Sequence, residues 1–238
     1  MIATDTKIDR RPFASLGHAN HGWLDARHHF SFASYHEPSR MGWGAIRVWN
    51  DDAIGPNSGF PPHPHKDMEI ITYVRSGAIT HQDSLGNTGR TEAGDVQVMS
   101  AGSGVRHAEY NLENETTTLF QIWIEPTRTG GSPSWGAKPF PKDDRSGGFV
   151  TLASGFADDE DALPIRAEAR VMAATVRAGE TATHDIGDGR HVYLVPATGA
   201  IEIDGERVEA RDGVALTGPQ TVTITAIEDA EIVLVDSL

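Results

Sequence analysis

Short apolar segments rich in β-branched and aromatic residues recur along the whole chain, and Gly, Asp, Asn or Pro separates them. This pattern is typical of short β-strands joined by turns. Long helical periodicity is absent, and the best helix candidate is a short segment around residues 159–169. The pattern therefore predicts an all-β fold, either a sandwich or a barrel. The candidate strands cover residues 44–50, 68–75, 95–100, 117–125, 148–153, 171–177, 191–195, 199–203, 220–226 and 230–235.

The strand pattern occurs twice. Residues 76–80 resemble residues 198–202, and residues 92–96 resemble residues 211–215, at offsets of 122 and 119. Two β domains of one kind explain this most economically, although chance similarity between hairpins would give the same signal. Prolines and glycines between the halves predict a linker. The predicted organisation is a first domain over 1–126, a linker over 127–148 and a second domain over 149–238.

Composition narrows the classes of function. Hydrophobic residues make up 38 % of the chain and charged residues 23 %, as in an ordinary globular protein. The net charge of −14 and the lack of a Lys/Arg run argue against direct binding of nucleic acid. The sequence has neither a signal-like start nor a long apolar run, so we expect no membrane contact and a cytoplasmic location. Cysteine is absent, so a metal site must use histidine and carboxylate ligands.

Two short motifs suggest such a site: His63-Pro64-His65 and His107-Ala108-Glu109. Residues i and i+2 of a β-strand point to the same face. On facing strands, the two motifs would direct three imidazoles and one carboxylate to one point, which suits Fe(II), Ni(II), Cu(II) or Zn(II). The chain has eleven histidines, so two unrelated surface pairs are the alternative.

The histidine pairs belong to a longer series that resembles the two motifs of the cupin superfamily, small β-barrels that hold a metal at their mouth. The series comprises His63-x-His65-x3-Glu69, Gly77, Gly94-x5-Ser100-Ala101-Gly102 and His107. Its departures at Gly77, Ser100 and His107 favour the pirin family of bicupins, which the chain resembles over nearly its whole length. The nearest relatives indicated are bacterial pirin-like proteins with quercetin 2,3-dioxygenase activity. The segments that carry this resemblance are residues 17–25, 30–33, 63–69, 81–87 and 99–109.

The resemblance implies two cupin barrels in tandem, with one divalent metal in the first barrel and none in the second. The implied metal is Fe(II), with Ni, Cu, Zn, Co or Mn as alternatives. Its implied ligands are His63, His65, His107 and Glu109. Glu69 stands where many other cupins have their carboxylate ligand, and we expect it to have a structural role here.

The implied activity is cleavage of a flavonol such as quercetin with O₂. Glu109 would also be the catalytic base that takes the proton of the flavonol 3-hydroxyl. The alternative function is a non-catalytic, metal-binding regulator that acts through protein partners. The expected partners are thus a small aromatic substrate and O₂, with a protein partner left open.

Other candidate residues have structural interpretations. We expect His81 and Asp83 to organise a hairpin rather than to form an acid–base pair. A second metal site is not expected at the N-terminal histidines, whose spacing fits no standard template. One or two of five aromatic residues should line the substrate pocket. The histidines are His18, His21, His28 and His29, and the aromatic residues are Phe32, Trp43, Trp49, Phe120 and Trp123.

Overall fold

The computed structural model describes residues 8–238, without the side chains of residues 142 and 144, and these residues form β-strands and three single 3₁₀ turns. Residues 1–7 of the predicted first domain lie outside the described residues. The strands are β1 Asp9–Arg11, β2 Gly17–Asn20, β3 Leu24–His28, β4 Ile46–Ile54, β5 Ser58–His65, β6 Glu69–Ser76, β7 Ala78–Asp83, β8 Thr88–Glu92, β9 Val96–Ser100, β10 Val105–Asn111, β11 Thr117–Ile124, β12 Ser134–Lys138, β13 Val150–Ser154, β14 Leu163–Pro164, β15 Ala169–Val176, β16 Thr181–Ile186, β17 His191–Thr198, β18 Ile201–Ile203, β19 Glu206–Val208, β20 Gly213–Thr217, β21 Gln220–Ala226 and β22 Ala230–Ser237. The 3₁₀ turns are Phe13–Ser15, Pro38–Arg40 and Lys142–Arg145.

The predicted helix around residues 159–169 is wrong. This segment contains the short strand β14, which pairs in parallel with β13, and it leads into β15. Pro164 has no N–H to donate within a helix, and it is tolerated here because β14 is the edge strand of its sheet. No helix formed by the described residues has the length and apolar character needed to cross a membrane.

The strands form two barrels of the same topology, as the internal repeat predicts. The first barrel has a sheet in the order β12-β9-β6-β11-β4-β3-β2 and a second sheet in the order β5-β10-β7-β8. The second barrel has the orders β1-β20-β17-β22-β15-β13-β14 and β16-β21-β18-β19. Strands β4 to β11 therefore have the same neighbours as β15 to β22. The all-β fold with two tandem barrels is confirmed.

Two edge strands cross the predicted domain boundaries. Strand β12 lies within the predicted linker, yet it pairs with β9 of the first barrel. Strand β1 lies within the predicted first domain, yet it pairs with β20 of the second barrel. Both strands are too short, at five and three residues, for a clear alternation in the sequence. Each barrel therefore has an edge strand that lies, in the sequence, outside the repeat that forms the rest of the barrel.

The two seven-stranded sheets pack against each other through a shared apolar cluster that includes Trp49, Phe120, Tyr193 and Val233. Because side chains alternate along a strand, the residues between these positions point into the barrels. The interior of the second barrel is filled by aliphatic side chains such as Leu194, which belong to a separate cluster. The interior of the first barrel also contains buried polar side chains, and these lie close to the predicted metal site.

Candidate metal centre

His63, His65 and His107 meet on the four-stranded sheet of the first barrel. His63 and His65 share one face of β5, and β5 pairs with β10 so that His107 lies opposite His63. Each of the three rings offers a nitrogen that lies within 4.8 Å of the nitrogens offered by the other two. Strand β5 is at the edge of its sheet, which is where Pro64 between the two histidines can be accommodated.

The three imidazoles fit a divalent metal ion. The Nε2 atoms of His63 and His107 are 3.1 Å apart. Two nitrogens bound at about 2.1 Å and at right angles to one metal would lie about 3 Å apart. The Nε2 atom of His65 is buried and has no hydrogen-bond partner among the described residues. This orphaned nitrogen is what a metal ligand without its metal should show.

The charge state of the rings also suits a metal. Burial, reinforced by the neighbouring imidazoles, lowers the pKa of His107 to about 2 and that of His65 to about 4. Both rings are therefore neutral at neutral pH, and a neutral imidazole has the lone pair that a metal needs. The Nδ1–H of His63 donates to the carbonyl of Pro61 at 2.8 Å, which leaves its Nε2 as an acceptor.

Glu109 follows His107 on β10, after an irregularity in the pairing with β5. Its carboxylate is fully buried and is within 4.8 Å of ring nitrogens of His107 and His81, but not of all three clustered imidazoles. Its Oε1 accepts from Gln97 Nε2 at 2.6 Å, and its Oε2 accepts from Gln121 Nε2 at 2.7 Å. Burial raises the pKa of Glu109 to about 7, against the opposing effect of these hydrogen bonds.

A row of polar side chains crosses the interior of the first barrel beneath Glu109. It contains one residue from each of five adjacent strands, in the register His28–Asn50–Gln121–Thr72–Gln97. Except for His28, each of these residues shares its face of the strand mainly with apolar residues. Sequence reasoning missed this row, although polar residues on the inward face of several mostly apolar strands are the signal that could have found it.

The second barrel has an apolar row at the corresponding positions. The register Met172–Leu234–Leu194–Val214 crosses β15, β22, β17 and β20. These side chains offer no nitrogen or oxygen ligand atoms. Within the described part of the chain, groups of histidine and carboxylate side chains suited to a metal are found only in the first barrel.

His81 connects the cluster to a hairpin. Its Nδ1 is 3.4 Å from Nδ1 of His107, and its Nε2 is 3.1 Å from Oδ2 of Asp83. Asp83 in turn accepts from the backbone N–H groups of Leu85 and Asn87, so it organises the turn as predicted. Trp135 of β12 stacks on the His81 ring, with the ring centroids 4.9 Å apart and an interplanar angle of 10°.

The other candidate histidines are not gathered into a site. His18 bonds to Asp25, His28 to Asn50 and His29 to Tyr193, so the three rings are engaged separately. Glu69 is buried and accepts a hydrogen bond from Ser100, which agrees with a structural role.

A cavity of about 430 Å³, within the range of small-molecule sites, lies in the first barrel. The three imidazoles do not line it, but two of its wall residues neighbour candidate ligands: Phe60 lies next to His63, and Gln121 donates to Glu109. Of the five aromatic candidates, Phe32 lines this cavity and Trp123 packs on His65, with ring centroids 4.9 Å apart. Trp49 and Phe120 instead lie in the cluster between the barrels. Sequence reasoning missed several residues of the cavity wall. These are Trp23, Asn50, Asp52, Phe60 and Gln121.

The structure consists of two small barrels in tandem; imidazoles converge in the first, and the second has an apolar interior. This arrangement defines a two-domain cupin with one candidate metal centre. The chain belongs to the pirin family. Residues 9–124 match the family model described as Pirin, and residues 151–237 match the model described as quercetinase C-terminal cupin domain.

Similar proteins support this assignment over nearly the whole chain. A pirin-like protein of Caulobacter vibrioides is 70 % identical, over 97 % of this chain and 99 % of its own length. A quercetin 2,3-dioxygenase of Escherichia coli K12 is 41 % identical, over 92 % of this chain and 94 % of its own. The crystal structure of a bacterial pirin from Escherichia coli in complex with nickel(II) superposes with a TM-score of 0.91 at 40 % identity, covering 97 % of this chain and 99 % of that one.

Proposed function

We propose that this protein is a metal-dependent dioxygenase that cleaves a flavonol such as quercetin with O₂. The observation that carries the proposal is the convergence of His63, His65 and His107 in a barrel that also holds a largely apolar cavity. The similarity to the quercetin 2,3-dioxygenase of Escherichia coli supports the same reaction class.

We propose that His63, His65, His107 and Glu109 hold one divalent metal ion. Fe(II) is the proposed metal, and Ni(II) is the first alternative because the similar Escherichia coli pirin was solved with nickel(II). The metal would supply Lewis acidity and an open coordination position for the reaction with O₂.

The protein's own groups would bind the flavonol and move its proton. Phe60 packs near His63, with ring centroids 6.3 Å apart, and it also lines the cavity, so flat aromatic rings placed there would be shielded from water. Glu109 would take the proton of the 3-hydroxyl. The amide groups of Gln97 and Gln121 hold the Glu109 carboxylate in a fixed orientation for that transfer.

The test is oxygen uptake with quercetin by wild type and Glu109→Gln. Glutamine keeps the size and one oxygen donor but cannot act as a base. A positioned general base contributes about 10²–10⁴-fold, so we expect a loss of turnover in that range. Metal content is measured by elemental analysis, and rates are compared at equal occupancy because lost metal would mimic a lost base.

Equal turnover of the two proteins would show that Glu109 is not the base. If metal-replete wild type consumes no oxygen with any flavonol tested, the dioxygenase proposal fails. The non-catalytic, metal-binding regulator would then become the better explanation of the site.

A further inference from the structure

Asp52 is a buried acid without a partner in the wall of the cavity. It lies on β4, where its neighbours across the sheet are Ala26 and Leu119, and neither side chain can form a hydrogen bond with it. Asp52 is 1 % exposed, and its Oδ1 atom has no hydrogen-bond partner among the described residues. Its neighbour Asp51, in contrast, points to the opposite face and is paired with Arg75 and Arg211.

Proteins rarely bury a polar atom without a partner, because the lost hydration is not replaced. An orphaned carboxyl group in a cavity wall is therefore a position where a ligand can supply the missing hydrogen bond. Burial, together with repulsion by Asp51 and Glu109, raises the pKa of Asp52 well above its ordinary value. A carboxyl group at this position can accept a hydrogen bond from a ligand hydroxyl in either protonation state.

Two residues of the cavity wall neighbour candidate metal ligands. Phe60 lines the cavity and packs near His63. Gln121 lines it and donates to Glu109. For a ligand whose reacting end lies at the imidazoles, Phe60 and Gln121 are the residues past which another part would extend toward Asp52.

We propose that Asp52 is a specificity-determining residue, whose carboxyl group hydrogen-bonds a hydroxyl on the B ring of a flavonol. This inference rests on the proposed function. The B ring is attached next to the reacting 3-hydroxyl by a single bond, so it can rotate into the cavity. The apolar part of the wall contacts the ring, while Asp52 recognises the hydroxyl.

The experiment measures binding without turnover. Protein loaded with nickel(II) is titrated without oxygen with quercetin and with the flavonol that lacks the B-ring hydroxyls. Dissociation constants come from quenching of tryptophan fluorescence, to which Trp23 in the cavity wall contributes. The proteins are wild type, Asp52→Asn, Asp52→Val and the control Asp25→Val, which removes a half-exposed carboxylate from the adjacent strand β3.

We expect wild type, Asp52→Asn and the control to prefer quercetin by about tenfold, the effect of one well-formed hydrogen bond. Asparagine keeps a donor and an acceptor at this position, whereas valine keeps neither, so Asp52→Val should bind the two flavonols about equally. Asp52→Val should also unfold at a temperature no lower than wild type, because it removes a buried group that has no partner in the free protein.

A full preference for quercetin in Asp52→Val would overturn the inference. Equal binding of both flavonols by wild type would overturn it as well, without the need for any variant, and would leave the proposed function in place. Failure of wild type to bind either flavonol would overturn the proposed function and this inference together.

Discussion

His81 and Asp83 fix the proton position on His107. If Asp83 accepts a hydrogen bond from Nε2–H of His81, the Nδ1 atom of His81 is free to accept a hydrogen bond from Nδ1–H of His107. That arrangement leaves Nε2 of His107, the nitrogen nearest His63, with its lone pair available. Partners of this kind orient metal-bound histidines and raise their basicity.

We therefore expect His81→Phe to weaken metal binding by about 10–100-fold, the usual effect of losing such a partner. Phenylalanine preserves an aromatic ring for stacking on Trp135 but has no nitrogen. The affinity is measured by competition with a chromophoric chelator. His18→Phe is the control, since His18 also bonds to a carboxylate but is exposed and lies outside the cluster. Unchanged affinity in a folded His81→Phe protein would exclude the positioning role.

The two short motifs were sufficient to predict the imidazole cluster, because the alternation of side chains along a strand is local information. The carboxylate of Glu109 is harder to predict, because its orientation depends on Gln97 and Gln121 from other strands. Asp52 was missed for the same reason, since its orphaned state depends on Ala26 and Leu119 across the sheet.

Among the elements, β12 is the one whose position depends most on tertiary packing. Its Trp135 occupies a slot over β8 that exists because residue 89 is glycine. A Cβ atom built on Gly89 would lie 2.1 Å from Cη2 of Trp135. The tryptophan ring must therefore shift if residue 89 gains a side chain.

We predict that Gly89→Ala displaces Trp135 from the His81 ring and lowers the free energy of unfolding by about 1–3 kcal/mol, as overpacking does. Metal affinity should fall as well, because His81 loses the ring that holds it. Urea unfolding and chelator competition measure the two effects. Thr88→Ala, an exposed change on the same strand, is the matched control. Stability and metal affinity at wild-type values in Gly89→Ala would show that the slot adapts without cost.

Apolar segments in the sequence predicted the central strands well; the segment 117–125, for example, corresponds to β11, Thr117–Ile124. They did not indicate β5 or β10, although these strands carry the candidate ligands. Strand β5 contains three prolines and polar side chains because it is an edge strand that presents its face to the site. Strands that carry site residues do not follow the apolar pattern by which strands are predicted. A prediction from apolar segments alone therefore misses them.

In the whole molecule, the two barrels share one topology but differ in the residues of their interiors. The first barrel has the polar row and the imidazoles, whereas the second has an aliphatic interior. Both have sizeable apolar clusters that do not include the candidate ligands. A metal is thus not required to build the core, unlike the case of very small metal-dependent domains.

We predict one tightly bound divalent ion per chain, and none in a variant with alanine at positions 63, 65 and 107. The variant should remain folded, with a cooperative thermal transition, because the clusters between and within the barrels are unchanged. Elemental analysis and circular dichroism measure the two properties. A second tightly bound ion that persists in the triple variant would mean that another site exists.

The contact between the barrels should depend on pH through His29. Its Nδ1 is 2.9 Å from the hydroxyl of Tyr193 in the second barrel, and its Nε2 has no hydrogen-bond partner among the described residues. Burial, reinforced by Arg11, Arg40, Arg211 and His28, lowers the pKa of His29 well below its ordinary value. The folded protein thus keeps this ring neutral at a pH where the unfolded chain protonates it.

The stability contributed by the depressed pKa of His29 is therefore complete above pH 6.5 and is lost as the pH falls below it. The non-titrating variant His29→Gln should be less stable than wild type at pH 7.5, but the gap should narrow by pH 5.5, by up to about 1.4 kcal/mol. Urea unfolding of metal-free wild type and His29→Gln at pH 7.5 and at pH 5.5 measures the gap. The other histidines are present in both proteins, so their contributions cancel in the comparison. A gap that is the same at pH 7.5 and 5.5 would show that His29 takes up a proton without disturbing the contact between the barrels.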